Sequence, residues 1–278
     1  MPRKPPFLYG RKKCIFCERQ PPEVKITGEH IFPDWLREIF PRNETTTHTQ
    51  GIITWPLVGP PNAPPSIKLS PKQGHSGSRK VGAVCNLCNE RWLSNLVEEA
   101  AKPILIPMIT GRAGEISPSM QRTLATWAAK TAMTGEQIAR DSAVIKQSQR
   151  TWLKERLEPP DGWVIWAAPY SGPEWRNLGL FQHNGRLELP PVNDGSAIQH
   201  SLGLTFIGLG HLLLQVFHTS WLGYWDGVLT ARHVARIWPL TGTTIQWPSP
   251  YVFTDIETKY FSTYMSRILD QRIDSASD

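Results

Sequence analysis

The chain has 278 residues, 40% hydrophobic and 19% charged, a balance that describes a folded protein and excludes a disordered polyelectrolyte. The length suits one large domain or two ordinary ones. The net charge of +6 is uneven: residues 1–91 carry 14 Lys and Arg against 7 Asp and Glu, while residues 92–278 carry 16 against 17, so the basic excess lies in the first third, where it suits a polyanionic partner.

Residues 1–13 read as a basic, proline-containing arm with Arg3, Lys4, Arg11, Lys12 and Lys13. No apolar run follows Met1-Pro2-Arg3-Lys4, so no secretory signal is expected. Residues 14–27 hold a first Cys-x-x-Cys knuckle and a short extended stretch, Val24-Lys25-Ile26-Thr27. A short helix is predicted after Pro33, which fits a first helical turn because its missing N–H costs nothing there; Trp35, Leu36, Ile39 and Phe40 form its buried side. Residues 41–80 contain seven prolines and read as a long irregular insertion, with a strand at Ile52-Ile53-Thr54-Trp55. The spacing of Trp92, Leu93, Leu96, Val97 and Ala100 predicts a helix over 89–101 that ends at Pro103 and Pro107. Ser117-Pro118 caps and starts another, with Met120, Leu124, Trp127, Ala128, Thr131 and Ala132 on its buried face. A further helix is predicted near 136–156.

From Trp163 the period changes to that of strands. Val164-Ile165-Trp166, Leu178 to Phe181, Leu187 to Leu189, Leu202 to Leu209, Leu212 to Phe217 and Ala235 to Trp238 are separated by Gly, Pro, Asn and Asp. A terminal helix is predicted from Asp255 to Arg272. The most apolar run, Leu202 to Phe217, is broken by Gly208, Gly210 and His211 and is shorter than the roughly 20 residues that span a bilayer. It reads as buried strand, so no membrane association and a cytoplasmic location are expected. The histidines at 200, 211, 218 and 233 show no metal-ligand spacing. Trp221, Tyr224, Trp225, Trp238 and Trp247 read first as core and sheet-face aromatics; stacking on nucleobases is the alternative.

The four cysteines form two pairs, Cys14-x-x-Cys17 and Cys85-x-x-Cys88, and the chain has no other. Without an export signal such pairs favour a metal over disulfides. Zinc prefers a tetrahedron of soft or borderline ligands, and each Cys-x-x-Cys turn offers two sulfurs on one side of a tight knuckle. The 67 intervening residues do not forbid it, because loop closure grows only logarithmically with length. Two redox pairs are the competing reading, against which no strand is expected before Cys14.

Between the knuckles stands Ile26-Thr27-Gly28-Glu29-His30-Ile31-Phe32-Pro33, and after the second come Asn89, Trp92 and Ser94. This pattern resembles the acid–His–Ile–x–Pro strand and the Cys-x-x-Cys-Asn end of bacterial zinc-stapled HNH (ββα-metal) endonucleases. The similarity extends through Leu124-Ala125-Thr126-Trp127-Ala128-Ala129-Lys130-Thr131-Ala132 and covers roughly the first half of the chain. Glu29 stands where Asp is commoner, and Lys80-Val81 stands where a middle Asn usually lies, a role that His75 or Ser76 can take instead.

The resemblance implies a zinc-stapled ββα-metal module with its proline-rich insertion (41–80) over 1–110; the periodicities read above add a helical connector over 111–160 and a C-terminal α+β domain with an antiparallel sheet over 161–278, which makes the chain α+β. The resemblance implies structural Zn²⁺ on Cys14, Cys17, Cys85 and Cys88. It also implies His30 as general base, with Glu29 and Asn89 holding a catalytic Mg²⁺ or Mn²⁺. The substrate would be DNA, double-stranded in the first instance, and cleavage of both strands would call for a homodimer. Bacterial or phage defence is the expected setting. Adjacent strand residues point to opposite faces, so Glu29 and His30 can share one site only if the strand end is bent or bulged. Two rivals stand beside the nuclease: a catalytically inactive nucleic-acid-binding module on the same fold, and a zinc-stabilised adaptor for another protein.

Overall fold

The computed structural model describes residues 13–41, 47–54, 66–73, 76–189, 198–220 and 234–270. The basic arm before Lys13, His75 and the aromatic cluster Trp221, Tyr224 and Trp225 lie outside the described residues.

Two strands far apart in sequence, β1 (Ile26–His30) and β4 (Lys80–Cys85), pair antiparallel. The insertion between them is more ordered than its prolines predict: β2 (Thr47–Thr54) and β3 (Ser66–Gln73) form a second antiparallel pair. The strand expected at Ile52 forms the end of β2, and the alternation Ile67-Lys68-Leu69-Ser70 favours β3 despite the local proline content. The short helix after Pro33 is a 3₁₀ turn, Asp34–Glu38, that buries Leu36.

Past β4 the chain enters one long helix without a break. It starts as α1 (Asn86–Cys88), continues as a π-wound segment (Asn89–Glu98) and ends as α2 (Glu99–Ile109). The expected stop at Pro103 and Pro107 does not occur, and both prolines lie inside α2. Ala101, Leu105, Met108 and Ile109 are fully buried there, so core packing overrides the local penalty of the missing N–H groups.

A short strand β5 (Gly114–Ile116) leads into α3 (Pro118–Gly135), capped as its Ser-Pro start predicts: Ser117 Oγ accepts from the Met120 N–H at 3.3 Å. The helix is buried on nearly every side from Leu124 onward rather than along one stripe. It packs between the long helix and a five-stranded antiparallel sheet. A 3₁₀ segment (Glu136–Ser142), kinked at Ala139, and α4 (Gln147–Arg156) follow.

The sheet contains β6 (Trp163–Pro169), β7 (Gly179–Leu189), β8 (Ile198–Leu209), β9 (Leu212–Thr219) and β10 (Ala235–Trp238), in the order β10-β6-β9-β8-β7. The two apolar runs at 178–181 and 187–189 belong to one strand, β7. A last strand, β11 (Ile245–Trp247), pairs with β5, and α5 (Asp255–Asp270) closes the chain against β7 and β8. Alternation along β9 divides its side chains: Leu212, Leu214 and Val216 join the core around α3, and Leu213 and Phe217 join an aromatic cluster with Phe206, Tyr170 and Phe253. The first core is continuous from Phe16 and Leu36 through Leu93 and Trp127 to Ile165 and Ile237. Among the described residues no helix is long and apolar enough to cross a membrane.

Two buried polar features lock the sheet to the helices. Arg150 on α4 donates to the Met133 carbonyl at 3.0 Å and pairs with Glu136, whose other oxygen accepts from the Val144 N–H at 3.0 Å. Next to them His218 on β9 stacks on Trp163 with ring centroids 4.8 Å apart and is 1% exposed. Burial, assisted by the positive charge of Arg150, pushes its imidazole down to about 3. Across the ladder stands Gly203, where a Cβ would fall 2.0 Å from His218 Nε2, so only glycine fits.

The unfolded chain therefore takes up a proton near pH 6.5 that the folded chain refuses until about pH 3. The stability gained from neutral His218 is complete above pH 6.5 and is lost as the pH falls through that window. Relative to the parent, His218→Gln is expected to remove about 2 kcal/mol of the fall in unfolding free energy between pH 7 and pH 5, measured by urea titration at both values. Gly203→Ala is expected to destabilise by about 1–3 kcal/mol through overpacking, read from the same titration at pH 7.

Candidate functional site

The first knuckle is a tight turn in which the Glu18 N–H donates to the Cys14 carbonyl at 2.9 Å and the Cys14 N–H to Arg19 at 2.9 Å. The second is built where β4 becomes helix: Cys85 is the N-cap of α1, and its sulfur accepts from the Cys88 N–H at 3.4 Å. A bulge joins the two. Thr27 pairs with Val84 and Glu29 with Val81, so Gly28 alone faces both Gly82 and Ala83. The carbonyls this frees from the ladder are taken up elsewhere. Ala83 accepts from the Ile15 N–H of the first knuckle at 2.9 Å, and Gly82 accepts from Arg140 at 2.7 Å. Phe16 packs edge-on against Trp92 at 4.9 Å and covers the knuckles.

The four sulfurs of Cys14, Cys17, Cys85 and Cys88 all lie within 4.8 Å of one another, with Cys17 and Cys85 3.6 Å apart. A tetrahedron of thiolates around zinc has S···S edges of about 3.8 Å, whereas a disulfide needs about 2.05 Å, so the set fits one zinc ion and no disulfide. Donation from Cys88 and from nearby backbone N–H groups holds the Cys14 thiol far below its ordinary value, while Cys88, as donor to Cys14 and by burial, is raised, and burial raises Cys85. One thiolate is held by its neighbours' protons; a dication among the sulfurs would replace those protons. Among the described residues this is the one group of three or more His, Cys, Asp or Glu side chains near enough to hold a metal ion.

The Glu29–His30 dipeptide ends β1. Successive ladder pairs, Glu29 with Val81 and His30 with Lys80, turn the two side chains to opposite faces. Glu29 faces inward and is 3% exposed; His30 is half-buried on the face that carries exposed Lys80. The bulge that the motif requires is present, but it lies one step earlier, at Gly28, and does not realign the pair. Asn89 does not cap its helix, a position Cys85 takes. Its Nδ2 instead donates to Thr27 Oγ1 at 3.4 Å, which lays the helix start across β1 on the Glu29 side. Asn86 accepts the Lys25 N–H at 3.1 Å. The structure thus brings Glu29 and Asn89 to one face of the hairpin and His30 to the other.

Beneath Glu29 lies a residue to which the sequence reading assigned no role. Lys130 on α3 is 0% exposed, and its Nζ stands 2.8 Å from Glu29 Oε1, 2.7 Å from Glu98 Oε1 and 3.5 Å from the His30 carbonyl. Burial works against its charge, but the two carboxylates outweigh this and raise its pKa above the ordinary lysine value. Glu98 is the second partner, while its neighbour Glu99 stays exposed. One sequence signal pointed here: a lone cation in the otherwise uncharged run Leu124 to Gly135.

Glu29 Oε2 takes no hydrogen bond among the described residues, and the oxygen donors of Glu29 and Asn89 suit a hard cation that keeps most of its waters. By donor type the pair is of the kind Mg²⁺ or Mn²⁺ prefers; among the described residues Glu29 belongs to no group of three His, Cys, Asp or Glu side chains within reach of one ion.

No family model, no curated protein and no solved structure matches this chain.

Purified protein is expected to carry one zinc ion per chain, measured by plasma emission, and to release it to a strong chelator with four thiols becoming reactive. Cys85→Ser is expected to lose both the ion and the cooperative thermal transition of the hairpin, because zinc and the fold are linked. A metal-free wild type with an unchanged transition would refute the staple.

Proposed function

We propose that the chain is a metal-dependent endonuclease of the zinc-stapled HNH type that hydrolyses DNA phosphodiesters. The observation that carries this reading is the docking of Asn89 onto β1 at Thr27, which sets two strands and a helix around the Glu29–His30 dipeptide with the cysteine cluster at the far end of the same strands. In this reading the cysteines hold a structural zinc, and Glu29 and Asn89 are the protein ligands of Mg²⁺ or Mn²⁺. A divalent cation held there would supply counter-charge to the phosphate undergoing attack. His30, half-buried on the opposite face of the strand end, would take the proton from the attacking water. Lys80, opposite His30 in the ladder and exposed, is placed to meet a phosphate beside it. Cleavage would leave 3′-hydroxyl and 5′-phosphate ends. Defence against foreign DNA is the setting such a chemistry suits.

The second reading, a nucleic-acid-binding module without catalysis, is favoured by a specific observation: Glu29 is already ion-paired to Lys130 and faces away from His30.

Supercoiled plasmid separates the two. With Mn²⁺ or Mg²⁺ the zinc-loaded protein is expected to nick it, and His30→Ala is expected to lower the rate by about 10²–10⁴-fold while zinc content stays at one per chain. Salt-dependent DNA binding with no cleavage in any divalent metal would establish the binding module instead. Absence of any DNA retention at low salt would leave the adaptor.

A further inference from the structure

We propose that Lys130 is the positioning residue of the Glu29–His30 dipeptide: its buried ammonium holds the Glu29 carboxylate by one oxygen and the His30 backbone by its carbonyl, and so presents the other Glu29 oxygen to the divalent cation. This rests on the metal-dependent reading above.

An ammonium has three protons, and Lys130 has three acceptors within reach: Glu29 Oε1 at 2.8 Å, Glu98 Oε1 at 2.7 Å and the His30 carbonyl at 3.5 Å. Two of the three belong to the dipeptide. No other charged partner of Lys130 exists among the described residues, and the side chain is wholly buried. A lysine kept out of water with all its protons directed at one dipeptide and one auxiliary carboxylate is a rigid support. Ligating carboxylates are generally held in this way by an outer donor that fixes their orientation. Glu98 sets the charge. With Glu29 and Lys130 alone the cluster would be neutral; Glu98 returns it to a net charge of −1, which leaves the site attractive to a cation.

That arithmetic supplies the experiment. Lys130→Met alone leaves two buried carboxylates facing each other and is expected to fold poorly. Lys130→Met with Glu98→Gln restores the net −1 through Glu29 only and removes the support without changing the charge. Mn²⁺ affinity is measured by calorimetry on the full-length, zinc-loaded protein, beside kcat and KM for plasmid nicking. The double variant is expected to keep one zinc per chain, to bind Mn²⁺ about 10–100-fold more weakly and to lose kcat with little change in KM. A role confined to packing would move neither the affinity nor the split. Mn²⁺ affinity that Glu29→Gln weakens, but that survives unchanged in the double variant, overturns the positioning role alone. Mn²⁺ affinity indifferent to Glu29→Gln overturns the metal-dependent reading and this role with it.

Discussion

Four thiol sulfurs within 4.8 Å of one another cannot all ionise inside a protein unless a cation lies among them, and everything in the first half of the chain depends on their meeting. Cys17 and Cys85 are 68 positions apart in sequence and 3.6 Å apart in space. Their convergence makes neighbours of β1 and β4, and the ladder between these strands carries both the dipeptide and the bulge. The knuckles are not passive attachments to that ladder. The first reaches the bulge through the Ile15 N–H, and the second forms the start of the helix through the Cys85 cap. A metal bound there would fix the strand register and the helix direction together, which no pair of local hydrogen bonds would do.

The second constraint is electrostatic and acts at the other end of the same strands. A buried ammonium is costly unless its charge is balanced and its protons are used. Lys130 meets both conditions only because α3 passes directly under β1 and the π-wound segment. Its partners come from two different elements, Glu29 from the hairpin and Glu98 from the helix. The triad therefore requires the hairpin, the long helix and α3 to assume one relative arrangement. Apolar packing alone would tolerate sliding of α3; three acceptors around one nitrogen do not.

How far the sequence disclosed this depends on the range of each signal. The cysteine pairs were legible because ligand type and spacing are local, and the strands of the five-stranded sheet because alternation and turn residues are local. The Ser117-Pro118 cap was legible for the same reason. The continuation of α2 through Pro103 and Pro107 was not, since it is decided by Leu105, Met108 and Ile109 finding a core built by distant segments. The strand at Ile52 was legible as the end of β2, but its partner β3 was hidden by the prolines around it. The pairing of Glu98 was not legible because its partner lies 32 positions onward. The inward turn of Glu29 follows from a bulge on β4, which cannot be seen from β1 at all.

The C-terminal end of α3 is also where the hairpin and the sheet come nearest each other. One of its faces meets Glu29 through Lys130, and the next turn meets the sheet, where Gln182 on β7 donates to the Ala132 carbonyl at 3.0 Å. Arg150, whose partner Glu136 begins just after α3 ends, grips the Met133 carbonyl. Lys130, Ala132 and Met133 all lie in the last turn and a half of α3, so the C-terminal end of this helix is held by polar groups that are buried and specific in direction. Three elements therefore meet around one turn of α3, and the side chain at its centre has no slack, because all three protons of Lys130 have acceptors.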